Sequence, residues 1–514
     1  MPLKIYFDLE NFNYSFPFKN DDEIDVNKYD IFINAMNKAK ITLESFIEID
    51  IIIQDIMISD EKLINSFGLE KWDTDYFGGD GEYGSPPNKS LSDLSITNVF
   101  FFSFKPFEDD HMAYSKIVNA DDFGTPSMGV IYLNKNFPAS RIKPEFLEIL
   151  MLHEFTHLLG FHQKVLINED PELYFTGIIE EELDTENNIV KYCVKAINIV
   201  SSKLFEYANK YFGCDEDDRK LSEICLEMDI YNNVHWPSRL LLGDYMTEFI
   251  YLEEQVISGF TLSFLEDLGY LRIKKYYTGG LMRFGKYQNC SFFNIPCING
   301  EGTKFENDFY YPTGNFDSKE PSCSSGRTSR TVHILHLYDS IPSQYKYFTE
   351  EHNLYGGLVS ANYCPVSQYD STNPDNLYIN SCSKKGIISN DSKNKYGEAI
   401  SDNSFCVLNN LVKKPESGGE IIPESFRAGC YNMFCSSKSL TIQVGEDFLV
   451  CPRSGGKIIS KNYAGYILCP DYNLICTVVD EDESEDDGKL CNDIFDCVEK
   501  KIEEKKISIY VYTI

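Results

Sequence analysis

Residues 144–163, PEFLEILMLHEFTHLLGFHQ, are the most informative stretch of the chain. Pro144 suits the first turn of a helix, because its ring presets a helical φ and that turn does not need the missing N–H. Gly160 suits the left-handed position just beyond a helix end. Five apolar side chains between them give a broad face for burial: Phe146, Leu147, Leu150, Met151 and Leu158. The stretch therefore predicts a buried helix that ends in a turn at Gly160.

Two histidines on this helix predict a metal site. His153 and His157 are four residues apart, so both imidazoles leave the same helix face. Glu154 follows His153 directly and is suited to take a proton from an attacking water molecule. The chain has only 8 histidines, so HExxH is expected by chance on the order of 0.01 times. The motif therefore favours one bound Zn²⁺ over two unrelated surface histidines.

The residues alone leave three candidates for a third zinc ligand, which a catalytic zinc site normally has. His162 is one residue short of the third histidine in the pattern HExxHxxGxxH, where this chain has Gln163. Glu180, followed by Asp184, offers a carboxylate of the kind found in thermolysin-like sites, within a stretch that is acidic throughout. His235, in VHWPSRLLLGDYM, is the third candidate.

These motifs together resemble those of the leishmanolysin-like metallopeptidases, which are metzincins. The resemblance rests on HExxHxxGF, a long insertion, His-Trp, and a methionine about ten residues further on. It also rests on the cysteine-rich segments GLMRFGKYQNCSFFNIPC, ANYCPV and GKIISKNYAGYILCPDYNLIC, and it extends from about residue 100 to residue 478. The resemblance implies that His153, His157 and His235 bind the zinc ion and that Glu154 is the general base.

Further roles follow from the same resemblance. It implies that Met246 is the residue of a Met-turn beneath the zinc ligands, and that Gly160 lets the chain leave the zinc helix. It also implies that MGVIYLN, residues 128–134, is the edge strand of the cleft and pairs with an extended substrate.

The predicted fold class is α+β. We expect a metzincin-type catalytic domain with a mixed sheet and an active-site helix, followed by a disulfide-rich C-terminal domain that is mostly β or irregular. Strands are predicted at 4–9, 98–104 and 128–134, and helices at 190–212 and 261–270. The predicted division of the chain is a catalytic subdomain at 1–160, a central subdomain at 161–270, a cysteine-rich domain at 271–478 and an acidic tail at 479–514.

Composition limits the classes of partner and location. The formal net charge of −33 argues against nucleic acid, because phosphates repel such a surface. The 16 cysteines, 13 of them from Cys290 onward, indicate disulfides and an oxidising compartment. Asn-x-Ser sequons at Asn13, Asn88, Asn289 and Asn390 agree with a secreted or cell-surface glycoprotein. Residues 1–10 show no secretory signal, so we interpret the chain either as a mature form with an added Met or as one from which the signal has been lost.

The sequence therefore predicts a zinc-dependent endopeptidase with one catalytic Zn²⁺. Its expected partners are extended protein or peptide substrates, and it is expected to be a monomer associated with the cell surface. The alternative is a zinc-binding surface or adhesion protein that is inactive or latent. Retention of Glu154 argues against this alternative, because a purely structural zinc site has no need of a base.

Overall fold

The structure is a computed structural model that describes twenty stretches of the chain. These are residues 2–20, 23–49, 97–108, 111–120, 125–162, 177–184, 189–196, 203–214, 223–228, 234–248, 255–274, 282–299, 302–306, 308–312, 315–324, 326–368, 380–383, 394–415, 422–436 and 439–476. The predicted acidic tail at 479–514 and the sequons at Asn88 and Asn390 lie outside them. The predicted domain boundaries remain predictions.

The described residues form eight α-helices, numbered here in chain order. They are α1 Glu10–Ser15, α2 Val26–Phe46, α3 Pro144–Leu158, α4 Lys203–Phe212, α5 Ser238–Leu241, α6 Gly259–Asp267, α7 Ser291–Asn294 and α8 Tyr472–Ile475. Short 3₁₀ turns lie at Ala139–Arg141, Ser343–Tyr345, Glu350–His352 and Val359–Ala361. None of the helices in the described ranges combines the length and apolar character that a membrane span requires.

The first half of the chain supplies strands β1 to β12. They are β1 Ile5–Asp8, β2 Lys19–Asn20, β3 Glu23–Ile24, β4 Ile47–Ile49, β5 Asn98–Lys105, β6 Ala113–Ala120, β7 Pro126–Asn134, β8 Gly177–Asp184, β9 Ile189–Ala196, β10 Glu223–Met228, β11 Val234–His235 and β12 Leu271–Ile273.

The second half supplies strands β13 to β24. They are β13 Glu320–Cys323, β14 Arg330–His333, β15 His336–Leu337, β16 Tyr355–Gly356, β17 Ser404–Asn409, β18 Val412–Lys413, β19 Arg427–Cys435, β20 Leu440–Val444, β21 Asp447–Val450, β22 Gly456–Ile458, β23 Tyr463–Ala464 and β24 Ile467–Cys469.

The chain forms two compact units. The first contains residues 1–207, 222–235 and 259–276, and the second contains residues 208–221, 236–258 and 277–514.

A four-stranded mixed sheet in the order β1-β5-β7-β6 organises the first unit. Strands β1, β5 and β7 are parallel, whereas β6 is antiparallel to β7. The expectation that residues 128–134 form the edge strand is wrong, because β7 lies between β5 and β6 and β6 is the edge. The run MGVIYL is almost continuously apolar and buried on both faces, which is typical of an interior strand.

Helices α2 and α3 pack together beside this sheet. Helix α2 begins at Asp25, whose carboxylate accepts a hydrogen bond from the N–H of Lys28 and so satisfies one of the helix's first donors. The sequence analysis missed this helix, although its buried residues recur at helical spacing: Phe32, Ala35, Met36, Ala39, Leu43 and Phe46. An ion pair of 3.0 Å between Lys38 of α2 and Glu148 of α3 adds to this contact.

A second sheet in the first unit is antiparallel and has the order β11-β10-β9-β8. The predicted helix at 190–212 is wrong in its first part, because residues up to Ala196 belong to strand β9 and helix α4 begins at Lys203. The run IVKYCVKA is apolar except at two lysines and contains three β-branched side chains, and β-branched residues favour a strand. The predicted helix at 261–270 is confirmed as α6.

The second unit contains a six-stranded sheet in the order β21-β20-β19-β17-β24-β22. Its described part holds six disulfides, which join Cys214 to Cys290, Cys297 to Cys364, Cys323 to Cys406, Cys382 to Cys430, Cys435 to Cys476, and Cys451 to Cys469. Both the predicted disulfide bonding and the predicted α+β class are confirmed.

Candidate metal centre

Helix α3 carries His153 and His157 on one face, one turn apart. Pro144 occupies its first turn, and residues from Phe146 to Leu158 are buried. A helix enclosed on all sides carries apolar side chains nearly throughout, and the buried polar residues in this one are Glu148, which pairs with Lys38, and those within the stretch HEFTH. Glu154 is only 3% exposed. The local sequence thus holds two imidazoles and one carboxylate in the interior of the first unit.

The end of α3 depends on Gly160. Its φ of +120° lies in the region that only glycine adopts without strain. A Cβ at this position would lie 2.0 Å from the hydroxyl oxygen of Tyr270. That hydroxyl donates a hydrogen bond of 3.0 Å to the carbonyl of Leu159, which satisfies a carbonyl left over at the helix end. Tyr270 is a supporting residue that the sequence analysis missed, and no local pattern marks it.

His235 reaches the two helical histidines from strand β11. The antiparallel register places it opposite Glu227 of β10, at the end of the second sheet of the first unit. The Nε2 atoms of His153 and His157 are 3.0 Å apart, and each lies 3.2 Å from Nε2 of His235. The three residues are at most 7% exposed. The structure therefore brings together three imidazoles that are separated by up to 82 residues in sequence.

The electrostatic surroundings favour neutral imidazoles. Burial, and next the neighbouring His153, lower the pKa values of His157 and His235 well below the usual value. The N–H at Nδ1 of His157 donates to the carbonyl oxygen of Phe161, which leaves the lone pair on Nε2 directed at the other histidines. The carbonyl of Phe161 is a second supporting group that the sequence analysis missed, since a backbone atom leaves no signature in a sequence.

Three neutral nitrogens that converge in this way fit a zinc ion. Tetrahedral Zn–N bonds of about 2.0–2.1 Å place ligand nitrogens roughly 3.3 Å apart, close to the 3.0–3.2 Å separations here. Among the residues that the structure describes, His153, His157 and His235 are the group of potential metal-binding side chains that comes together. Nitrogen donors of this kind suit Zn²⁺ better than Ca²⁺ or Mg²⁺, which prefer oxygen.

The other two candidates for a third ligand are not in this group. His162 is buried, and its backbone N–H donates to the carbonyl of Gly160 in the turn after α3. The backbone of Glu180 and Asp184 lies in strand β8, at the opposite edge of the sheet from β11.

Met246 lies in a buried loop that a carboxylate organises. The N–H of Met246 donates to Oδ1 of Asp244 over 2.7 Å, and the hydroxyl of Ser258 donates to the other oxygen of the same carboxylate. The carbonyl of Met246 accepts the N–H of Trp236 over 2.9 Å. Trp236 is the residue directly after His235, so a hydrogen bond ties the methionine segment to the chain that carries the third histidine.

Comparison with known families agrees with this site. The family model of leishmanolysin, peptidase family M8, matches residues 75–482. The chain belongs to the leishmanolysin family. The matched range contains all three clustered histidines and Glu154, and membership places the chain among the zinc metallopeptidases. A leishmanolysin-type chain of this kind is expected to act on proteins or peptides.

Proposed function

We propose that this leishmanolysin-family chain is a zinc-dependent endopeptidase. The observation that carries the proposal is the convergence of three Nε2 atoms within 3.2 Å of one another, beside a buried carboxylate on the same helix. His153, His157 and His235 would hold one zinc ion. The chemistry that the bound ion supplies is Lewis acidity, which polarises the scissile carbonyl and lowers the pKa of the attacking water.

Glu154 is the proposed general base. It follows His153 on α3, and its side chain is almost fully buried, so its carboxylate acts where bulk water is scarce. It takes the proton of the attacking water and passes it to the nitrogen of the departing amine. The carbonyl of Phe161 holds the ring of His157 in one tautomer, and Gly160 gives the chain the turn that brings this carbonyl back.

Strand β6 is the proposed docking edge for the substrate. It ends the sheet in the described part of the chain, and α3 lies against it. Its outer backbone N–H and C=O groups can pair with an extended peptide as a further strand. Residues 128–134, interior to the sheet, are not available for this role. Six disulfides support an additional proposal, that the protein works outside the cell or at its surface.

The test is peptide and casein cleavage by the purified chain, compared with Glu154→Ala. We expect a loss of 10²-fold or more in kcat/KM, on the scale of a lost general base. The variant should keep its zinc, measured by elemental analysis, because Glu154 is not one of the three clustered residues. A wild-type chain that binds zinc yet cleaves nothing would support the inactive or latent alternative instead.

A matched pair of variants tests the third ligand. His235→Ala should lose zinc and activity together, because it removes one of three nitrogens. His162→Ala removes an equally buried histidine outside the cluster and should keep its zinc. The opposite pattern would assign the third ligand to His162.

A further inference from the structure

Two lysines and two tyrosines come together on the sheet of the first unit, at the strand where substrate is proposed to dock. Lys105 ends β5, Tyr132 lies on β7, and Tyr114 and Lys116 lie on β6. The Nζ atom of Lys105 is 3.8 Å from the ring centroid of Tyr132 and 4.6 Å from that of Tyr114. The two rings are 5.0 Å apart. We call these four residues the lysine–tyrosine cluster.

The alternation of side chains places this cluster on one face of β6. Ala113, Ser115 and Ile117 are all buried, and they face the side on which α3 lies. Tyr114 and Lys116 point to the other face, where both are half-buried. The register places Tyr114 directly opposite Tyr132, so the cluster extends from the interior strand to the sheet edge.

The cluster is positively charged, whereas the chain as a whole is negatively charged. The chain has a net charge of −33, yet two lysines lie close together here. They are near enough for Lys116 to lower the pKa of Lys105. Burial first, and Lys116 second, lower the pKa of Lys105 to about 8. Among the described residues no carboxylate lies within ion-pair distance of Nζ of Lys105, and the tyrosine rings instead stabilise its ammonium group. A carboxylate brought to this face would be attracted by both lysines.

We propose that the lysine–tyrosine cluster is a specificity subsite that selects an acidic side chain, Asp or Glu, of the bound peptide. The inference rests on the proposed function, because it needs the substrate to pair with β6 as an extended strand. A peptide residue opposite Lys116 would place its side chain on the same face as the lysine, where opposite charges across two strands attract. The aliphatic part of that side chain would pack against the ring of Tyr114.

Strand geometry makes the expected preference periodic. Successive side chains of the peptide point to opposite faces, so one position should prefer an acid and the positions directly before and after it should not. A weaker preference is expected two residues away, on the same face. We expect this preference to change kcat/KM by about fivefold or less, because a cross-strand charge pair contributes little free energy.

The experiment uses one cleavable peptide in which each position from four residues before the scissile bond to four after it is Glu, Gln or Lys in turn. For the wild type we expect kcat/KM to be about threefold to fivefold higher for Glu than for Gln at one position, with Lys the poorest. Lys116→Glu should reverse the order at that position alone. Lys4→Glu makes the same change of charge beside β1, at the opposite edge of the sheet, and should leave the order unchanged.

Binding to the Glu154→Ala protein, measured by fluorescence anisotropy, repeats the series without turnover. If the wild type cleaves through Glu154 but shows no positional preference for Glu, the subsite is disproved while the proposed function stands. If the chain cleaves nothing, the binding series still decides, because equal affinity for the Glu, Gln and Lys peptides would overturn the subsite. If Lys4→Glu reversed the order of the peptides as much as Lys116→Glu, the preference would come from the overall charge of the protein. That result would also overturn the subsite.

Discussion

The two units of this protein are stabilised by different means. The mixed sheet β1-β5-β7-β6 of the first unit and its helices α1 to α3 lie in a part of the chain that precedes its first cysteine, Cys193. Their interior is crowded with phenylalanine rings, and Phe12 alone lies within 6.4 Å, centroid to centroid, of four of them: Phe16, Phe32, Phe102 and Phe104. The described part of the second unit carries six disulfides, and in one core Cys323, Cys382, Cys406 and Cys430 lie together.

This difference indicates that the length of the helices and strands in each unit determines how much of its stability comes from apolar packing and how much from disulfides. Long helices and strands that pack face to face bury enough apolar surface to hold the three histidines in place. The six-stranded sheet of the second unit has an apolar core of its own, but many other strands of this unit, such as β15 and β18, have only two residues and add little to it. Cross-links restrict its unfolded chain and replace part of that core.

Reduction of the disulfides should produce the largest contrast between the units. Each removed bond costs roughly 2–5 kcal/mol in a small secreted domain, so loss of six should unfold the second unit. Hydrogen exchange monitored by mass spectrometry after treatment with a phosphine reductant should show loss of protection in β17 and β19. Strands β5 and β7 should stay protected in the same sample, and equal loss in all four strands would contradict the contrast.

Removal of one ring from the first unit should have the next largest effect. Phe155 follows Glu154 on α3, and its ring centroid lies 5.2 to 5.9 Å from those of Phe7, Phe100 and Phe102. Phe155→Ala should lower the free energy of unfolding by about 3–5 kcal/mol through the cavity that it leaves. Phe155→Leu is the matched control and should lose less, because it fills most of the volume. Denaturant unfolding followed by circular dichroism gives both values.

The two units should respond to pH in opposite directions. Burial raises the pKa of Asp308 in the second unit to about 7, and the N–H of Gly285 donates to one of its oxygens. When folding raises the pKa of a carboxyl, the group stabilises the fold fully only at pH values below its pKa in the unfolded chain, which is near 4. That contribution is lost as pH rises through about 7, and it amounts to a loss on the order of 4 kcal/mol.

The metal-free first unit carries the opposite dependence. His157 and His235 have lowered pKa values, so protonation of the unfolded chain destabilises the fold as pH falls below about 6.5. Hydrogen exchange of each unit between pH 5 and 9 tests both signs. Asp308→Asn should abolish the loss of stability in the second unit as pH rises to about 7. A loss that persists in this variant would assign it to another group.

The smallest expected effect concerns the end of the zinc helix. Tyr270→Phe removes the hydroxyl that donates to the carbonyl of Leu159, and it should lower the free energy of unfolding by about 1 kcal/mol. Tyr29→Phe removes an exposed hydrogen bond to Asn13 and is the matched control, with little change expected. Competition with a chromophoric chelator measures the zinc affinity of each variant. A weaker affinity in Tyr29→Phe than in Tyr270→Phe would exclude a role of the helix end in shaping the site.

The sequence predicts this fold well where local signals are strong. Helix α3 has proline at its start, glycine at its end and an apolar interior, so its bounds follow from short-range chemistry. Helix α2 also has buried residues at helical spacing, but the sequence analysis predicted no helix there. Strand β9 was assigned to a helix, because an apolar run of this length fits either structure until its sheet partners are known.

Long-range arrangements are less accessible from one sequence. Which strand forms the edge of the sheet depends on the pairing of β6 with β7. The apolar run of β7 is typical of an interior strand, but it does not show which strand lies beside it. The pairing of cysteines likewise depends on how distant strands meet. For instance, Cys406 lies opposite Cys430 in the register, but each forms a disulfide with another cysteine. His235 could be chosen among three candidates only through the resemblance to a family.

The second sheet of the first unit has a consequence for how the site can evolve. His157 and His235 are 78 residues apart, and closing a flexible loop of that length costs about 4 kcal/mol of chain entropy, apart from a constant. The antiparallel strands β8 to β11 divide this closure into smaller steps, of which the one from β9 to β10 contains helix α4, and the last strand carries His235. Strands gained or lost at the β8 edge leave β11 in place. The insertion can therefore change length by whole strands over evolutionary time while the three histidines keep their geometry.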